Sequence, residues 1–431
     1  MRHTVAQIRS FNRPIQLLLL NQLTINTGFY MLMPYLANYL AGDLGLAVWL
    51  VGLILGVRNL SQQGMFLLGG SLADRLGYKP MILAGLALRT VGFGLLGFVD
   101  SLPALILASV LTGLAGALFN PAVRAYLAQE AGDRKVEAFA VFNVFYQTGI
   151  LIGPLIGLLL GGIAFQVTCA VAAGLFAVLA VLQARALPAR RGSQAGVERT
   201  VFADWREALA NRVFLLFSLA MTGSYVLNFQ VYLGLPIEVR RVTGGELGVT
   251  ALFAVSGLLS ILGQVRVTAW VKARWAPAQA ITRGLALMGL AFVPLALAAP
   301  FGGVRAGAGP WHEPGHLLAY AVALTPVLTS TVLLTLATMI VYPFEMATIV
   351  NLGGERMIGT YYGLYNTLSG LGIAAGNLLT GAALDAGRGI GTPSLPWIAL
   401  AATGAACALA VRALDRTGHL TRAPEREAVP A

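Results

Sequence analysis

The sequence predicts an all-α membrane protein in which twelve transmembrane helices form two pseudo-symmetric six-helix bundles. Three observations support this fold class: an apolar composition, twelve apolar segments of membrane-crossing length, and a strong bias of basic residues toward one side of these segments. Of the 431 residues, 57% are hydrophobic and 11% are charged, whereas roughly a quarter of the residues in a soluble protein are charged. Lipid must therefore surround most of the chain, and the bilayer is its first expected partner.

Basic residues are in excess, and the formal net charge is +11. In a soluble protein this charge would suggest nucleic acid, but here the basic residues lie between apolar segments, so we expect no nucleic-acid partner. Roughly twenty Lys and Arg residues fall on one side of the segments and about four on the other. The positive-inside rule then predicts a multi-pass protein of the plasma (inner) membrane with both termini in the cytoplasm.

The apolar segments are long enough to cross about 30 Å of hydrocarbon. In lipid they must be helices, because only a helix satisfies its own backbone hydrogen bonds within one segment. The predicted spans are 14–41, 48–72, 80–99, 102–122, 138–162, 164–184, 213–237, 247–272, 278–300, 317–341, 358–383 and 395–414.

The longest polar stretch, 185–212, has six predicted spans before it and six after it. This position predicts a flexible cytoplasmic linker between two bundles. The resulting domains are an N-terminal tail at 1–13, a first bundle at 14–184, the linker at 185–212, a second bundle at 213–414 and a C-terminal tail at 415–431.

An internal repeat supports two related halves. Pro121 is followed by Gly-Asp-Arg at 132–134, and Pro343 is followed at the same spacing by Gly-Glu-Arg at 354–356. Each copy lies between the fourth and fifth spans of its half. A parallel repeat of this kind indicates duplication of a six-helix unit.

A motif lies between the second and third spans, where 70–79 reads GSLADRLGYK. It closely resembles the major facilitator signature G-x-L-A-D-R-x-G-R/K-R/K, with Tyr78 in place of the first of the two final basic residues. The resemblance implies the major facilitator fold, a small-molecule substrate and a gating role for the motif. The gating residues assigned on this basis are Gly70, Asp74, Arg75, Gly77 and Lys79, with Arg134 as a further candidate.

Asp74 follows the second span, at the C-terminal end of a helix, where the macrodipole disfavours an anion by a few tenths to about 1 kcal/mol. It therefore needs a partner, and Arg75, Arg134 or the positive N-terminus of span eleven near Ile358 could supply one. Such a contact would hold the cytoplasmic side shut in one conformation. The alternative is a hydrated loop without a gating role. Gly77 is expected to take the left-handed turn that ends span two.

A second motif in span five reads GILIGPLIG over 149–157. It resembles the antiporter signature G-x-x-x-G-P-x-x-G of proton-linked exporters, which implies export. Small residues four apart let a neighbouring helix approach closely, and a proline bends the axis. Ordinary helix packing is the alternative interpretation. The motif residues are Gly149, Gly153, Pro154 and Gly157.

Three patches, 55–64, 112–121 and 395–397, are similar to bacterial multidrug-resistance exporters of the drug:proton antiporter branch. This resemblance implies a proton as the coupling ion, a monomer, no cofactor and no enzymatic activity. Two departures stand against a complete transfer of these properties. The span-four arginine of that branch would fall at Ser109, and the second-half copy of the gating motif, around 271–274, has lost its aspartate.

Two arginines lie near the middle of predicted spans. Arg58 and Arg89 are each about ten residues into their spans, which places both near the membrane midplane at 1.5 Å per residue. A central arginine costs at least about 2.5–3.5 kcal/mol, so each should face the bundle interior or a watery cavity. Either they meet an anionic group on the substrate, or polar neighbours such as Asn59 and Gln62 hold them.

Other polar residues share helical faces inside the spans and are candidates for lining a substrate cavity. Hydrogen bonds that only join helices are the alternative for each residue. With Arg58 and Arg89, the candidates are Asn26, Tyr30, Gln62, Asn143, Tyr146, Gln147, Tyr225, Asn228, Tyr232, Tyr365 and Asn366. The acidic residues near spans, including Glu238 and Glu345, fall at span ends or in loops, so the usual buried carboxylate for proton exchange is not evident.

The sequence contains no convincing phosphate loop, catalytic triad or metal-ligand spacing. We therefore expect no metal site and no enzyme. The favoured function is a proton-coupled exporter of small drug-like or amphipathic solutes that works by alternating access. The alternatives are an importer or facilitator of a polar or anionic metabolite, and a transport-inactive membrane receptor.

Overall fold

A computed structural model describes residues 7–46, 48–161, 164–189, 200–243, 247–301, 314–354, 357–418 and 420. All regular secondary structure within these ranges is helical. The prediction of an all-α protein is confirmed. We number the α-helices in chain order.

The first half of the chain contains eight helices that correspond to the first six predicted spans. They are α1 (Arg13–Tyr30), α2 (Met33–Asn38), α3 (Val48–Gly64), α4 (Phe66–Leu76), α5 (Tyr78–Phe98), α6 (Leu102–Ala131), α7 (Lys135–Gly161) and α8 (Phe165–Ala186). Spans one and two are therefore each built from two consecutive helices.

The second half begins with a short helix and continues with those of the other six predicted spans. They are α9 (Val201–Ala210), α10 (Arg212–Phe229), α11 (Gly234–Thr243), α12 (Leu247–Lys272), α13 (Pro277–Leu290), α14 (Val293–Ala298), α15 (Pro314–Gly353), α16 (Ile358–Gly389) and α17 (Leu395–Arg416). Within the described residues, nine helical segments, some of which join two consecutive helices, are long and apolar enough to cross a membrane.

The linker differs from its prediction. A flexible connection was expected over 185–212, but α9 forms inside it. The Thr200 side chain accepts a hydrogen bond from the Ala203 backbone N–H and caps the helix. A side-chain cap of this kind typically contributes about 1 kcal/mol. The segment 190–199 of the linker lies outside the described residues.

Close contacts divide the chain into two compact units. Among the described residues, unit 1 contains those up to Phe214 together with Met346–Thr367, and unit 2 contains Leu215–Glu345 and those from Leu368 onward. The first ten residues of α16 therefore belong, by their contacts, with the first half of the chain.

In unit 1, glycines let neighbouring helices approach closely. A Cβ at Gly85 of α5 would lie 2.9 Å from the Ala115 carbonyl oxygen of α6, and one at Gly28 of α1 would lie 2.7 Å from the Phe176 ring of α8. The Phe176 ring also packs edge-to-face against Phe93, at 5.2 Å between centroids. In lipid the hydrophobic effect does not act between helices, so close packing is one of the forces that holds them together, and small residues at such crossings permit it.

In unit 2, α13 and α17 cross at a pair of glycines. A Cβ added to Gly289 would lie 2.7 Å from the Ala401 carbonyl oxygen and 3.2 Å from the Gly404 Cα atom. Near this crossing, the rings of Phe292 and Trp397 are nearly parallel, with centroids 6.5 Å apart. Trp397 is fully buried, so it anchors the start of α17.

The two copies of the predicted repeat share a backbone feature. Pro121 lies inside α6 and Pro343 lies inside α15. Gly132 has φ +51° just after α6, and Gly354 has φ +69° just after α15. A positive φ favours glycine. This explains why both copies of the repeat have a glycine at this position. Glu355 and Arg356 of the second copy lie outside the described residues.

We expect Gly289→Ala to destabilise the protein by about 1–3 kcal/mol, because the new methyl group has no room against the backbone of α17. Thermal unfolding of the purified protein in detergent checks this. Gly381→Ala in α16 is the control, since nothing lies within 4 Å of its Cβ position. Equal melting temperatures for the two variants would show that the α13–α17 crossing is not tightly packed.

Candidate gating site and polar interior

The Asp74 carboxylate lies at the end of α4 and accepts hydrogen bonds from the first turn of α16. The backbone N–H of Gly359 donates to Oδ1 at 2.8 Å, the backbone N–H of Thr360 donates to Oδ2 at 2.7 Å, and the Thr360 hydroxyl donates to Oδ2 at 2.8 Å. Asp74 is 1% exposed. The first N–H groups of a helix have no partner inside the helix and carry partial positive charge, so this position suits an anion.

The contact requires glycine on both helices. A Cβ at Gly70 would collide with the carbonyl group of Gly359, and a Cβ at Gly359 would lie 2.6 Å from the Gly70 carbonyl oxygen. One turn later, a Cβ at Gly363 would collide with the Phe66 carbonyl. The backbones of α4 and α16 therefore touch, and this proximity is what brings the Asp74 carboxylate within reach of the Thr360 N–H.

Three partners for Asp74 were considered from the sequence, and the structure brings one of them to it, the N-terminus of α16. Arg134 lies elsewhere: its guanidinium donates to the Ser10 hydroxyl at 2.9 Å and stacks over the Phe11 ring at 4.2 Å. Arg75 also turns away from Asp74 and pairs with a different carboxylate, described below.

The remaining motif residues also have defined places. Gly77 ends α4 with φ +98° and ψ 155°, a positive-φ conformation that favours glycine but differs from the left-handed helical turn expected from the sequence. Lys79 lies partly exposed in the first turn of α5. Tyr78, the residue that departs from the signature, is fully buried, and its hydroxyl lies 3.5 Å from Asp74 Oδ1. A neutral donor thus occupies the position where a basic residue is usual.

The linker helix α9 packs against the motif. Asp204 forms an ion pair with Arg75, in which the Arg75 Nε atom donates to Oδ2 at 3.1 Å and the Nη2 atom donates to the same oxygen. The next residue, Trp205, donates its indole N–H to the Ser71 hydroxyl at 2.7 Å. Asp204 is 1% exposed, so this carboxylate is buried with its partner.

Asn211, which follows α9, contacts the end of α15 and the first turns of α16, the helix whose N–H groups donate to Asp74. The Asn211 side-chain amide donates to the Leu352 carbonyl at 3.0 Å and to the Tyr361 hydroxyl at 3.2 Å, while its oxygen caps α10 by accepting from the Phe214 N–H. The sequence interpretation missed Asp204, Trp205 and Asn211 because it treated the whole linker as flexible.

The antiporter-like motif is a close helix crossing. A Cβ at Gly149 would lie 2.6 Å from Asn26 Cβ, one at Gly153 would lie 2.8 Å from Tyr30 Cβ, and one at Gly157 would collide with the Met31 carbonyl. The three glycines thus form one face of α7 against α1 and the turn after it. The Pro154 carbonyl accepts a hydrogen bond from the Tyr35 hydroxyl at 2.8 Å. In unit 1, this motif therefore packs α7 against α1.

The guanidinium groups of Arg58 and Arg89 both lie close to the ring of Phe29. The Arg58 guanidinium carbon is 4.5 Å from the centre of the Phe29 ring, and that of Arg89 is 5.8 Å from it. Arg58 donates to the Asn59 side chain at 2.9 Å and to the Gln62 side chain at 3.0 Å. These are the amide partners that one of the two sequence interpretations proposed.

Arg89 is more enclosed than Arg58. It is 5% exposed, and its guanidinium lies 5.9 Å from the Phe119 ring centre and 5.8 Å from that of Phe176. Its Nε atom, like the Nε atom of Arg58, is buried without a hydrogen-bond partner. In the part of the chain that the structure describes, neither arginine forms an ion pair with a carboxylate.

The other unit 1 candidates are engaged in contacts between helices. Asn26 donates to the Tyr146 carbonyl at 3.1 Å, and Asn366 accepts from Arg124 at 2.8 Å. Asn143 and Tyr365 are buried, whereas Tyr30, Tyr146 and Gln147 are partly exposed.

In unit 2, Tyr225 and Asn228 are partly exposed and Tyr232 is 46% exposed. Asn228 accepts a hydrogen bond from Thr338 at 3.2 Å. The Tyr232 ring lies 5.7 Å from that of Phe253.

One carboxylate corrects the sequence interpretation. Glu345 was placed beyond the end of span ten, but α15 continues through it to Gly353. It is 4% exposed and lies about 12 Å from the helix end at 1.5 Å per residue. The hydropathy pattern ended the span too early because Tyr342 and Pro343 interrupt the run of apolar residues.

Comparison with known proteins decides the family. The sequence model described as Major Facilitator Superfamily matches residues 18–377. The chain belongs to this superfamily. Its twelve-helix fold and its class as a membrane transporter follow from that membership.

Relatives cover nearly the whole transporter. It is 47% identical over 412 residues to an uncharacterized MFS-type transporter of Mycobacterium tuberculosis, covering 95% of each chain. It is 31% identical over 414 residues to the multidrug resistance protein MdtH of Cronobacter sakazakii, covering 93% of each. The crystal structure of the human organic anion transporter MFSD10 matches with a TM-score of 0.68 at 16% identity, over 93% of this chain and 99% of that one.

The stability of the transporter should depend on pH through Asp74. Burial raises the pKa of Asp74 from 3.8 to about 7, and the hydrogen bonds from Thr360 and Gly359 limit the rise. Because the folded state then holds the Asp74 proton more tightly than the unfolded state does, stability falls as the pH rises through about 7. We expect the melting temperature to decrease between about pH 6 and about pH 8 and Asp74→Asn to flatten this dependence.

The control for this measurement is Asp133→Asn, which changes an exposed aspartate near the end of α6. It should keep the pH dependence of the parent protein. The same pH dependence in the Asp74→Asn protein would show that another group is responsible.

We expect Asp204→Asn to loosen α9, because the Arg75 guanidinium loses its charged partner. Hydrogen–deuterium exchange of α9 should accelerate about tenfold or more, which corresponds to a loss of about 1.4 kcal/mol. Arg206→Gln, on the exposed face of the same helix, should leave the exchange unchanged. Unaltered exchange in the Asp204→Asn protein would show that the ion pair does not hold α9.

Proposed function

We propose that this superfamily member is a proton-coupled exporter of small amphipathic solutes, located in the plasma (inner) membrane and active as a monomer with both termini in the cytoplasm. Its membership of a transporter superfamily carries the general function. The finer proposal is supported by the MdtH relatives, which are multidrug resistance proteins by name. The glycine face of α7, which resembles the signature of proton-linked exporters, also supports it.

The contact between Asp74 and the first turn of α16 is the observation that carries the gating part of the proposal. In our mechanism these three hydrogen bonds form a latch, and the latch opens during each transport cycle so that the substrate site is exposed to each side of the membrane in turn. The latch has two distinct arrangements. In one, the buried Asp74 carboxylate accepts hydrogen bonds from the N–H groups of α16, and in the other it is hydrated by water. The ion pair between Arg75 and Asp204 adds the linker helix to this latch.

Coupling to protons requires a group that binds and releases one during the cycle. Glu345 is our candidate, because it is a buried carboxylate inside a long helix. The drug-exporter arginine of span four has no counterpart here, since Ser109 occupies its position. Coupling in this chain must therefore use a different arrangement of groups.

An importer or facilitator of an anionic metabolite is the second candidate. The observation that favours it is the arginine pair, which would suit a negatively charged solute. MFSD10, whose fold is similar, is by name an organic anion transporter, and this name points to the same class of solute. A transport-inactive receptor is the third candidate, and the intact Asp74 latch argues against it.

Flux in proteoliposomes tests the proposal. With a pH gradient imposed across the vesicle membrane, an exporter that exchanges solute for protons accumulates solute on the acidic side, in a saturable manner. We expect Glu345→Gln to abolish the response to the gradient and Asp74→Asn to reduce the flux at least about tenfold, while Gly381→Ala retains it.

Equilibration of the solute that ignores the gradient would identify a facilitator and reject the coupling. Movement of solute together with protons would identify a symporter. No saturable flux of any solute tested, from protein that folds normally, would support the receptor and reject the proposal as a whole.

A further inference from the structure

We propose that Arg58 and Arg89 form a binding site for the anionic group of the transported solute, with a carboxylate, sulfonate or phosphate as the chemistry recognised. This inference rests on the proposed transport function, because it names the class of solute. It is carried by the charge and the contacts of the two side chains inside unit 1.

The two arginines carry positive charges that no carboxylate among the described residues pairs with. Both guanidinium groups lie within 6 Å of the centre of the Phe29 ring. Asn59 and Gln62, the hydrogen-bonding partners of Arg58, are neutral amides, which orient the guanidinium without cancelling its charge. Like charges near each other in an apolar interior are unfavourable unless a counter-ion joins them.

The site also has unused hydrogen-bond donors. A guanidinium carries five N–H groups, and Arg58 uses two of them on its amide neighbours. Among the described residues, Arg89 is surrounded by ring faces, and its Nε atom is buried without a partner. Planar guanidinium groups bind carboxylates and phosphates through two parallel hydrogen bonds. The N–H groups that the two side chains leave unused are therefore donors of the kind that a carboxylate, sulfonate or phosphate accepts from.

The surroundings favour an amphipathic anion over an inorganic one. The ring of Phe29, which both guanidinium groups approach, is partly exposed and offers an apolar surface to the body of the solute. Phe119 and Phe176 are fully buried and enclose Arg89 from the protein side. Arg58 is partly exposed and Arg89 is almost fully buried. We therefore assign Arg58 as the residue that an anion meets first and Arg89 as the deeper one.

Ligand stabilisation of the full chain in detergent tests the site. Three probes share a naphthalene body: 2-naphthalenesulfonate is an anion, 2-naphthalenemethanol is neutral and 2-naphthylmethylammonium is a cation. We expect the anion to raise the melting temperature in a saturable manner, and the other two to have little effect. Arg58→Gln and Arg89→Gln should each weaken the apparent affinity for the anion at least about tenfold.

Two further variants keep the test decisive. Arg283→Gln is the matched control, because Arg283 stacks over Trp275 at 4.6 Å but lies in unit 2 and is exposed. Arg89→Lys retains the charge and loses the planar fork, so it should bind the anion with intermediate affinity. If Arg89→Gln does not fold, Arg58→Gln and Arg89→Lys still decide the matter.

Equal anion affinity in the parent and in the Arg58→Gln protein, or a cation effect as large as the anion effect, would overturn the inference. Stabilisation by phosphatidylglycerol with none by 2-naphthalenesulfonate would assign the arginines to a lipid headgroup and also overturn it. Failure of the transport proposal has a different signature: the anion binds through both arginines, yet proteoliposomes show no saturable flux.

Discussion

A buried carboxylate imposes the constraint on which the arrangement around the gating motif depends. Asp74 has lost nearly all contact with water, and burying a charge without partners is costly. The first turn of α16 supplies three hydrogen bonds, which requires the backbones of α4 and α16 to touch. That approach explains why positions 70 and 359 are glycines. One electrostatic requirement thus accounts for the acidic residue and for the small residues around it.

The sequence was sufficient to predict the helices and the need for a partner at Asp74. Apolar runs and their spacing determine where helices form in lipid, and each predicted span corresponds to one helix or to two consecutive helices. The choice among three partners for Asp74 was not predictable, because Asp74 contacts Gly359 and Thr360, which follow it in the chain by 285 and 286 positions. The sequence does not encode such a distance in any local pattern.

The linker helix and the arginine environment were beyond sequence reasoning for related reasons. Thr200 is a good N-cap and Asp204 lies in the first turn of α9, so the local signal for a helix existed. It was obscured by the polar composition of the whole linker. For Arg58, the amide neighbours lie within four residues on the same helix, and they were one of the two alternatives that the sequence left open. The Phe29 ring comes from another helix, so that contact required the structure.

The predicted position of the two arginines near the membrane midplane has an electrical consequence. A charge at that depth lies within the transmembrane field, and moving one elementary charge across the whole of that field is worth about 2.3 kcal/mol per 100 mV. With no bound anion, the pair contributes two positive charges, and any step that moves them along the field depends on voltage. An occupied pair carries less net charge, so the loaded and empty forms of the carrier would respond differently to the resting potential of the cell.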